Sequence, residues 1–573
     1  MMAKLATDVG QLINANLAQI PRARKRTGAD GIIARAMDAP HARADARSRY
    51  ADAILFVACV AIACVAALRL HQDANWDLQN YHFYDPWAWL TGRSLAWDLA
   101  AAQLQTFHNP LADVPFYLLV AGHVDPRAIT AWLALPAGIA LYFFAKIAWL
   151  LFGDLGPAQR AGAAAAAAAI GFTGAMGVGQ LGSTTDEWLV TAFTMAASWL
   201  LVREATPSAR RKTSTLVLAG LAMGVASGLK LTAATYAVGL CVALAATRSP
   251  VRDAVRAGVL YCIGIAGGLA VALGPWSYQL WIHFRNPLFP YGNRWFRSPW
   301  WDLESVLPPR FGPHTLGDWL LFPFKLLAPT PGFVSEMPYV DARLPLLCTL
   351  ALIAVIGHGV ARAQRTKLAL PPGFETTAAR WRWVSAAFVA SFVLWALLHS
   401  ILRYAIPLEI LSGLLIVGLL GYLLRPAHAP AAIACTLAAL AATTVWSNWG
   451  RVEFGRAWFD VRVPPVEPNA LVLLTVDAPM AYVLPFFPRD SRHVGLRNNI
   501  NDPSRRNLLA KTVAAVVREH RGPLYALSYP KGQGDAELRA HHLRRVAGAC
   551  ADVVTNMPTS PIELCRLERT AAP

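Results

Sequence analysis

The chain has 573 residues, 55% of them hydrophobic and only 15% charged, with a mean hydropathy of +0.37. A soluble globular protein carries about 25% charged residues, so the composition excludes an ordinary water-soluble fold. The 52 Lys and Arg against 35 Asp and Glu give a formal charge of +17. These cations cluster in short segments between apolar runs, a pattern that sets orientation in a membrane and argues against nucleic acid as the partner.

Residues 1–50 are polar and basic, with Arg22, Arg24, Lys25 and Arg26 ahead of the first apolar run. They read as a cytoplasmic, partly disordered tail and not as a cleavable signal peptide. From residue 51 to 446, apolar runs long enough to cross a bilayer recur, and lipid forces such runs to be helical. The first span is Asp52–Leu70, followed by a Trp- and Tyr-rich outer loop, 71–127. Within that loop Leu111–Val120 is apolar but too short to cross, so it is expected to be re-entrant or interfacial. Spans follow at 128–152, 161–181 and 188–202, then a helical pair in 216–246 that turns near Lys230. Further spans are expected at 259–281, 344–360, 383–401, 405–424 and 431–446, with a second outer loop at 283–342. Basic loops at 203–212, 248–256 and 362–382 mark the inside face. The reading is a mainly α, polytopic bundle of about eleven transmembrane helices, N-terminus cytoplasmic and C-terminus outside.

From residue 447 to 573 the composition becomes that of a soluble domain. Ala470–Val476 and Pro523–Ser528 read as strands and Asn507–His520 as an amphipathic helix, so a small extracytoplasmic α/β domain is expected. The Gly532–Gly534 pair lacks the strand-to-helix spacing of a nucleotide fingerprint. Cys59, Cys64, Cys241, Cys262, Cys348 and Cys435 fall in apolar runs as packing residues. Cys550 and Cys565 are expected to form a disulfide if their domain lies outside, and to be free buried thiols otherwise.

Candidate chemistry concentrates in the first outer loop, Asn75-Trp76-Asp77-Leu78-Gln79-Asn80-Tyr81-His82-Phe83-Tyr84-Asp85-Pro86. A carboxylate there can take a proton from a hydroxyl, and aromatic rings can stack on sugars. An interfacial helix whose Trp and Tyr anchor in headgroups accounts for the same residues. Asp186 and Glu187, Lys230, and Arg403 with Tyr404 also emerge on the outer side. Ionisable groups at membrane depth default to functional hypotheses. Their structural alternatives are a solvated helix cap for Asp186–Glu187, snorkelling for Lys230 and headgroup anchoring for Arg403. That all of them share one face favours a common site for a substrate with an anionic head and a lipid tail.

In this order and topology the chain resembles the GT-C superfamily of integral-membrane glycosyltransferases that use polyprenyl-phosphate sugars. The resemblance covers roughly residues 51–425 and rests on Asp77 followed by Tyr81 and Tyr84, Gly92-Arg93, Pro110-Leu111 with Phe116-Tyr117, and Thr185-Asp186-Glu187. Asn286-Pro287-Leu288-Phe289-Pro290, Phe296-Arg297-Ser298-Pro299 and Arg403-Tyr404 with Pro407 are also similar. It implies inverting sugar transfer from a polyprenyl-phosphate donor to an envelope glycan or lipid acceptor, at the outer face of a bacterial inner membrane. Asp77 would be the general base. Asn80, Tyr81, His82, Asp186, Glu187, Lys230, Arg403 and Tyr404 would bind substrate. Position 78 is Leu, so the paired carboxylate of many members is missing, which argues against a bound metal; no cofactor is expected. Membrane lipids complete the expected partners. The competing function is a flippase or transporter of a lipid-linked sugar, for which no repeat of the span pattern is found.

Overall fold

The computed structural model describes residues 30–205, 212–247, 250–303, 311–327, 332–363, 374–558 and 561–570. The basic residues Arg22, Arg24, Lys25 and Arg26, and parts of all three basic loops, lie outside them. The chain divides into the units Met1–Val57 and Ala58–Pro573. In the first, the helix Asp30–Arg69 begins inside the segment expected as a tail. All that follows concerns the second.

Among the described residues a helix occupies each position expected for a span. Six helices among the described residues are long and apolar enough to cross a membrane, and Thr213–Leu229, Leu231–Ala246 and Ala429–Thr443 are shorter apolar helices. Burial separates central from peripheral ones. The Leu402–Leu423 helix is 72% buried, whereas the Val251–Ala272 helix is only 22% buried and exposes Val255, Val259, Ile263 and Val271. Apolar side chains left outside in this way are what a lipid-facing surface requires.

Two expected spans are interrupted. The third ends at Phe172 and resumes as the short helix Ala175–Gly179. The break makes room for the Glu409 carboxylate, which a side chain at Gly174 would overlap and which accepts the backbone N–H groups of Met176 and Gly177. The seventh divides at Leu273 into Val251–Ala272 and Gly274–Phe284, the second piece opening on Pro275, which lacks an N–H for the preceding turn.

Close packing depends on small residues. Gly220 and Gly224 on Thr213–Leu229 face Gly264 and Gly268 on Val251–Ala272, so closely that a Cβ at any of the four would overlap backbone of the other helix. Small residues at four-residue spacing are a common way for membrane helices to approach. Overpacking such a seam costs about 1–3 kcal/mol. Gly220→Val is therefore expected to lower the detergent-solubilised melting temperature clearly, while Gly258→Val, where nothing stands within 4 Å, leaves it unchanged.

Strand β1 (Gln72–Asp73) starts the first long loop and pairs antiparallel with β2 (Arg451–Val452), just after the last span. The C-terminal region forms a sheet from β3 (Val461–Arg462), β4 (Leu471–Leu474), β5 (Arg492–Gly495), β6 (Leu524–Ser528), β7 (Leu543–Thr555) and β8 (Ile562–Arg569), in the order β3-β7-β8-β6-β4-β5. β5, β4 and β6 run parallel, and the rest pair antiparallel. Both expected strands and the expected helix, Leu508–Glu519 capped by Asn507, are present. β3, β5, β7 and β8 were not foreseen. β7 mixes small, charged and apolar residues around Gly548, so it has no clean alternation to read. Cys550 and Cys565 lie opposite one another on β7 and β8 and form the disulfide.

The first loop docks onto this sheet, with Leu99 pairing parallel to Val494 at the β5 edge. Asp98 anchors the joint. It accepts hydrogen bonds from Tyr84 Oη (2.9 Å), Arg93 Nε and Nη2 (3.0 Å each) and the His493 backbone N–H (2.9 Å), and lies 3.2 Å from His493 Nδ1. His493 Nε2 lies 3.1 Å from Ser491 Oγ, so Asp98, His493 and Ser491 follow the order of a hydrolase triad. All three are at most 1% exposed and the Ser491 hydroxyl donates to Pro488 O, so the arrangement is structural. Burial would favour the neutral acid, but His493 and Arg93 hold the Asp98 carboxyl below its ordinary value. A group depressed in the native state contributes stability above its unfolded pKa, about 4, and loses it as pH falls below that. Asp98→Ala leaves Arg93 buried without its counter-charge, an expected cost of about 3–5 kcal/mol. Melting followed from pH 7 to pH 3 should show the acid-induced loss in the native chain and a flatter profile in the variant.

Candidate functional site

The first loop is fixed from several sides. Asp73 accepts from Asn75 and from the Thr184 N–H and hydroxyl, tying the loop's start to the turn before Glu187–Arg203. Asn109 Nδ2 donates to Gly228 O and Ala272 O (2.8 Å each), tying its far end to two helix termini. Between these anchors, Asp77 immediately precedes a π-helical turn, Leu78–His82, a geometry that recurs at functional sites.

Two charged groups result. In the first, Arg403 donates through Nη1 to Asp77 Oδ2 and lies 4.0 Å from Glu187 Oε1 and 3.9 Å from Glu336 Oε1. Lys230, at the break after Thr213–Leu229, donates to Glu187 Oε1 (2.8 Å) and to Thr185 O. The Tyr404 ring lies against both cations, 5.7 Å from Lys230 Nζ and 5.2 Å from Arg403 Cζ. Lys230 therefore does not snorkel, and Arg403 turns inward; their side chains are only 16% and 13% exposed. Burial would favour a neutral Asp77, but Arg403 and, more weakly, His82 hold its carboxyl below the usual range.

In the second group His82 Nδ1 donates to Asp113 Oδ1 at 2.7 Å, and Asp186 lies close by. Burial opposes the imidazolium, yet Asp113, Asp186 and Asp77 raise the His82 pKa to about 9. Burial and the charge of Asp113 raise Asp186 to about 7, where a carboxyl can give or take a proton near neutrality. Asp186 has a left-handed backbone (φ 61°) and makes no side-chain hydrogen bond to the helix it precedes, so it is not the helix cap that was the structural alternative. Backbone of this kind is kept where the surroundings over-determine it. His82 Nε2 is buried without a partner. One ligand atom from each of His82, Asp113 and Asp186 lies within 4.8 Å of the others, a set that would suit a divalent cation. Leu78 removes a carboxylate next to Asp77, but Asp113 and Asp186, distant from it in the chain, supply carboxylates that could hold a metal.

A cavity of about 140 Å³ adjoins this group, with Asp113, Thr185 and Asp186 beside apolar walls that include Phe116, Trp132 and Leu135. Of the residues expected to bind substrate, His82, Asp186, Glu187, Lys230, Arg403 and Tyr404 converge with Asp77. Tyr81 packs against His82 and His108, with ring centroids 4.1 and 5.6 Å away. Asn80 instead turns to Ala102 O and Gln105 Oε1, 3.3 Å each, and supports the loop.

Sequence reasoning missed Asp113 and Glu336. Asp113 carried a signal, being a carboxylate inside an otherwise apolar stretch. His108 Nε2 pairs with Tyr291 Oη of the second long loop at 3.0 Å, and burial and Lys230 lower its pKa to about 4. Glu336 had no local signal, because only the path of the second loop brings it to Arg403.

No family model matches the chain, and no curated protein matches it. Among solved structures, it is similar to ArnT from Cupriavidus metallidurans bound to undecaprenyl phosphate, at 14% identity and a TM-score of 0.37, over 90% of this chain and 97% of that one. The same protein in the apo state gives 14% identity and a TM-score of 0.38, over 91% and 98%.

Proposed function

We propose that the chain is an inverting membrane glycosyltransferase that moves a sugar from a polyprenyl-phosphate donor to an envelope glycan or lipid. The observation that carries this reading is the buried array of Asp77, Arg403, Glu187 and Lys230, which pairs a candidate base with two cations. The inverting outcome rests on the resemblance in sequence. The proposed setting is a bacterial inner membrane, with the N-terminus cytoplasmic and the C-terminal domain periplasmic. The Cys550–Cys565 disulfide supports an oxidising compartment for that domain.

In the resting arrangement Arg403 occupies Asp77 and keeps its basicity low. A donor phosphate is a stronger partner for a guanidinium fork, so its arrival draws Arg403 and Lys230 toward the phosphate oxygens. Asp77 loses its counter-charge and its proton affinity rises. The acceptor hydroxyl then gives its proton to Asp77 as its oxygen bonds to the anomeric carbon. The bond from that carbon to the phosphate oxygen breaks, and the polyprenyl phosphate leaves with its developing charge neutralised by Arg403 and Lys230. Asp186, poised near neutrality, orients the acceptor. His82, Asp113 and Asp186 are the residues that would hold a divalent ion, which would supply further positive charge to the site.

The test is a vesicle assay with a radiolabelled lipid-linked sugar. Covalent transfer of label to a new acceptor is expected. Movement of intact donor between leaflets without transfer would instead make the protein a flippase.

A further inference from the structure

Three buried ionisable residues of the bundle take no part in the proposed reaction: Asp341, Arg343 and Glu409, which are 7%, 1% and 7% exposed. Charged groups at membrane depth are costly and default to functional hypotheses. These three form one cluster. Arg343 donates through Nη1 to Asp341 Oδ2 (2.9 Å) and Thr444 Oγ1 (3.1 Å), through Nη2 to Thr173 Oγ1 (2.9 Å) and through Nε to Ile170 O (2.6 Å). The two carboxylates take the three N–H groups that open the short helix Ala175–Gly179, donors that a helix end leaves without partners. Asp341 Oδ2 accepts from Ala175 (2.9 Å), Glu409 Oε2 from Met176 (3.1 Å) and Glu409 Oε1 from Gly177 (2.8 Å).

Each segment that meets at this cluster also carries a member of the Arg403 group. Arg403 and Tyr404 lie on the turn Leu402–Ala405, which leads directly into the helix Ile406–Leu423 that bears Glu409. Glu187 follows Ala175–Gly179 in the chain. Its neighbour Trp188 donates through Nε1 to Gly177 O (3.0 Å), on the residue whose N–H Glu409 holds. Glu336 lies just ahead of Asp341 in the second long loop. The same segments meet again at Arg403, which is 4.0 Å from Glu187 and 3.9 Å from Glu336. Segments joined at two separated points are held against sliding or turning past each other. A buried ionic cluster is a weak way to stabilise a bundle, because apolar side chains of similar volume often do as well. What apolar side chains cannot do is hold particular N–H groups in register.

We propose that Glu409 is a positioning residue: through the Met176 and Gly177 N–H groups it sets the place of Arg403 among Asp77, Glu187 and Glu336, and so governs how tightly the site takes a polyprenyl phosphate head. The assignment rests on the transferase reading above. Loosening the contact moves the guanidinium away from its alignment with phosphate and from Asp77. Burial raises the Asp77 carboxyl, and Arg403, with His82 and Lys230, brings it below its ordinary value. A more distant Arg403 therefore lets the Asp77 pKa rise. The base is then protonated at a higher pH, and the acidic limb of kcat/KM, which reports the free enzyme, moves up.

The test titrates the full-length protein in detergent with undecaprenyl phosphate, and follows sugar transfer in vesicles over a range of pH. Glu409→Gln keeps the shape of the side chain but sets an amide N–H against one of the two backbone donors. Gly177→Ala leaves the carboxylate in the chain and displaces it, since a Cβ there would stand 2.9 Å from Glu409 Oε1. It keeps the test open where Glu409→Gln yields little folded protein. Both variants are expected to bind undecaprenyl phosphate about tenfold more weakly, the order of loss for a misplaced contact, and to shift the acidic limb upward. The control is Gly418→Ala on the same helix, where a Cβ would stand 2.5 Å from the Trp381 ring, away from the cluster. It should lower the melting temperature and leave both readouts native. Equal changes in Gly418→Ala, or a lowered melting temperature in Glu409→Gln with native affinity and a native limb, would make Glu409 a purely structural residue. If both variants weaken undecaprenyl phosphate while native vesicles show no sugar transfer, the transferase reading fails and Glu409 stands as the positioning residue of a lipid-phosphate site. If the native chain transfers sugar and both variants keep its affinity and acidic limb, the positioning role fails and the transferase reading stands.

Discussion

Asp77→Asn is expected to reduce sugar transfer by about 10²–10⁴-fold, the usual contribution of a positioned base, while the protein still folds and still binds donor. Asn has the same shape as Asp and can still accept from Arg403, so the array of Glu187, Lys230 and Tyr404 remains in place. What disappears is the group that takes the hydroxyl proton. Donor affinity should stay the same or rise, because Arg403 no longer has to leave a carboxylate to reach phosphate. Turnover measured at saturating donor and acceptor, beside donor binding on the same preparation, separates these effects. A variant that binds donor and transfers at the native rate would remove Asp77 from the role of base.

Replacing Arg403 should act on both stability and donor use. Arg403→Ala leaves Asp77 buried without its cation and removes a neighbour of Glu187 and Glu336. Breaking a buried pair from one side costs about 3–5 kcal/mol, so a large drop in melting temperature is expected. Arg403→Lys keeps the charge but not the planar fork. It should recover much of the stability while its donor KM stays raised about tenfold or more, because a point charge cannot grip phosphate in two places. Initial rates over a range of donor concentrations test this directly. The double variant Asp77→Asn, Arg403→Ala should be less destabilised than the sum of the two single changes, since each has already removed the other's partner. Additive losses, or an unchanged donor KM in Arg403→Lys, would count against the proposed exchange of partners.

Much of the architecture was legible in the chain. Apolar runs of bilayer length forced helices, and a helix stands at each expected position among the described residues. The break near Lys230 was readable because a cation interrupts an apolar stretch. The strands at 470–476 and 523–528 and the helix at 507–520 were readable from period and composition. The strands β3, β5, β7 and β8 were not, since short strands and a mixed-polarity strand carry little periodicity. The break in the third span was also hidden. Its cause is Glu409, more than two hundred residues away, reaching the Met176 and Gly177 N–H groups.

The sequence by itself determined that this is a helical membrane chain with ionisable residues gathered toward one face, and it singled out Asp77, Asp186, Glu187, Lys230 and Arg403 by their setting. Hydrophobicity and charge are local properties, so they can be read residue by residue. Only the tertiary structure decided who pairs with whom: Arg403 with Asp77 across 326 positions, and His82 with Asp113 across 31. It alone turned Asn80 away from the site and brought Glu336 to it. Hydrogen bonds and ion pairs act over a few ångströms of space, and separation along the chain does not fix that distance until the chain has folded.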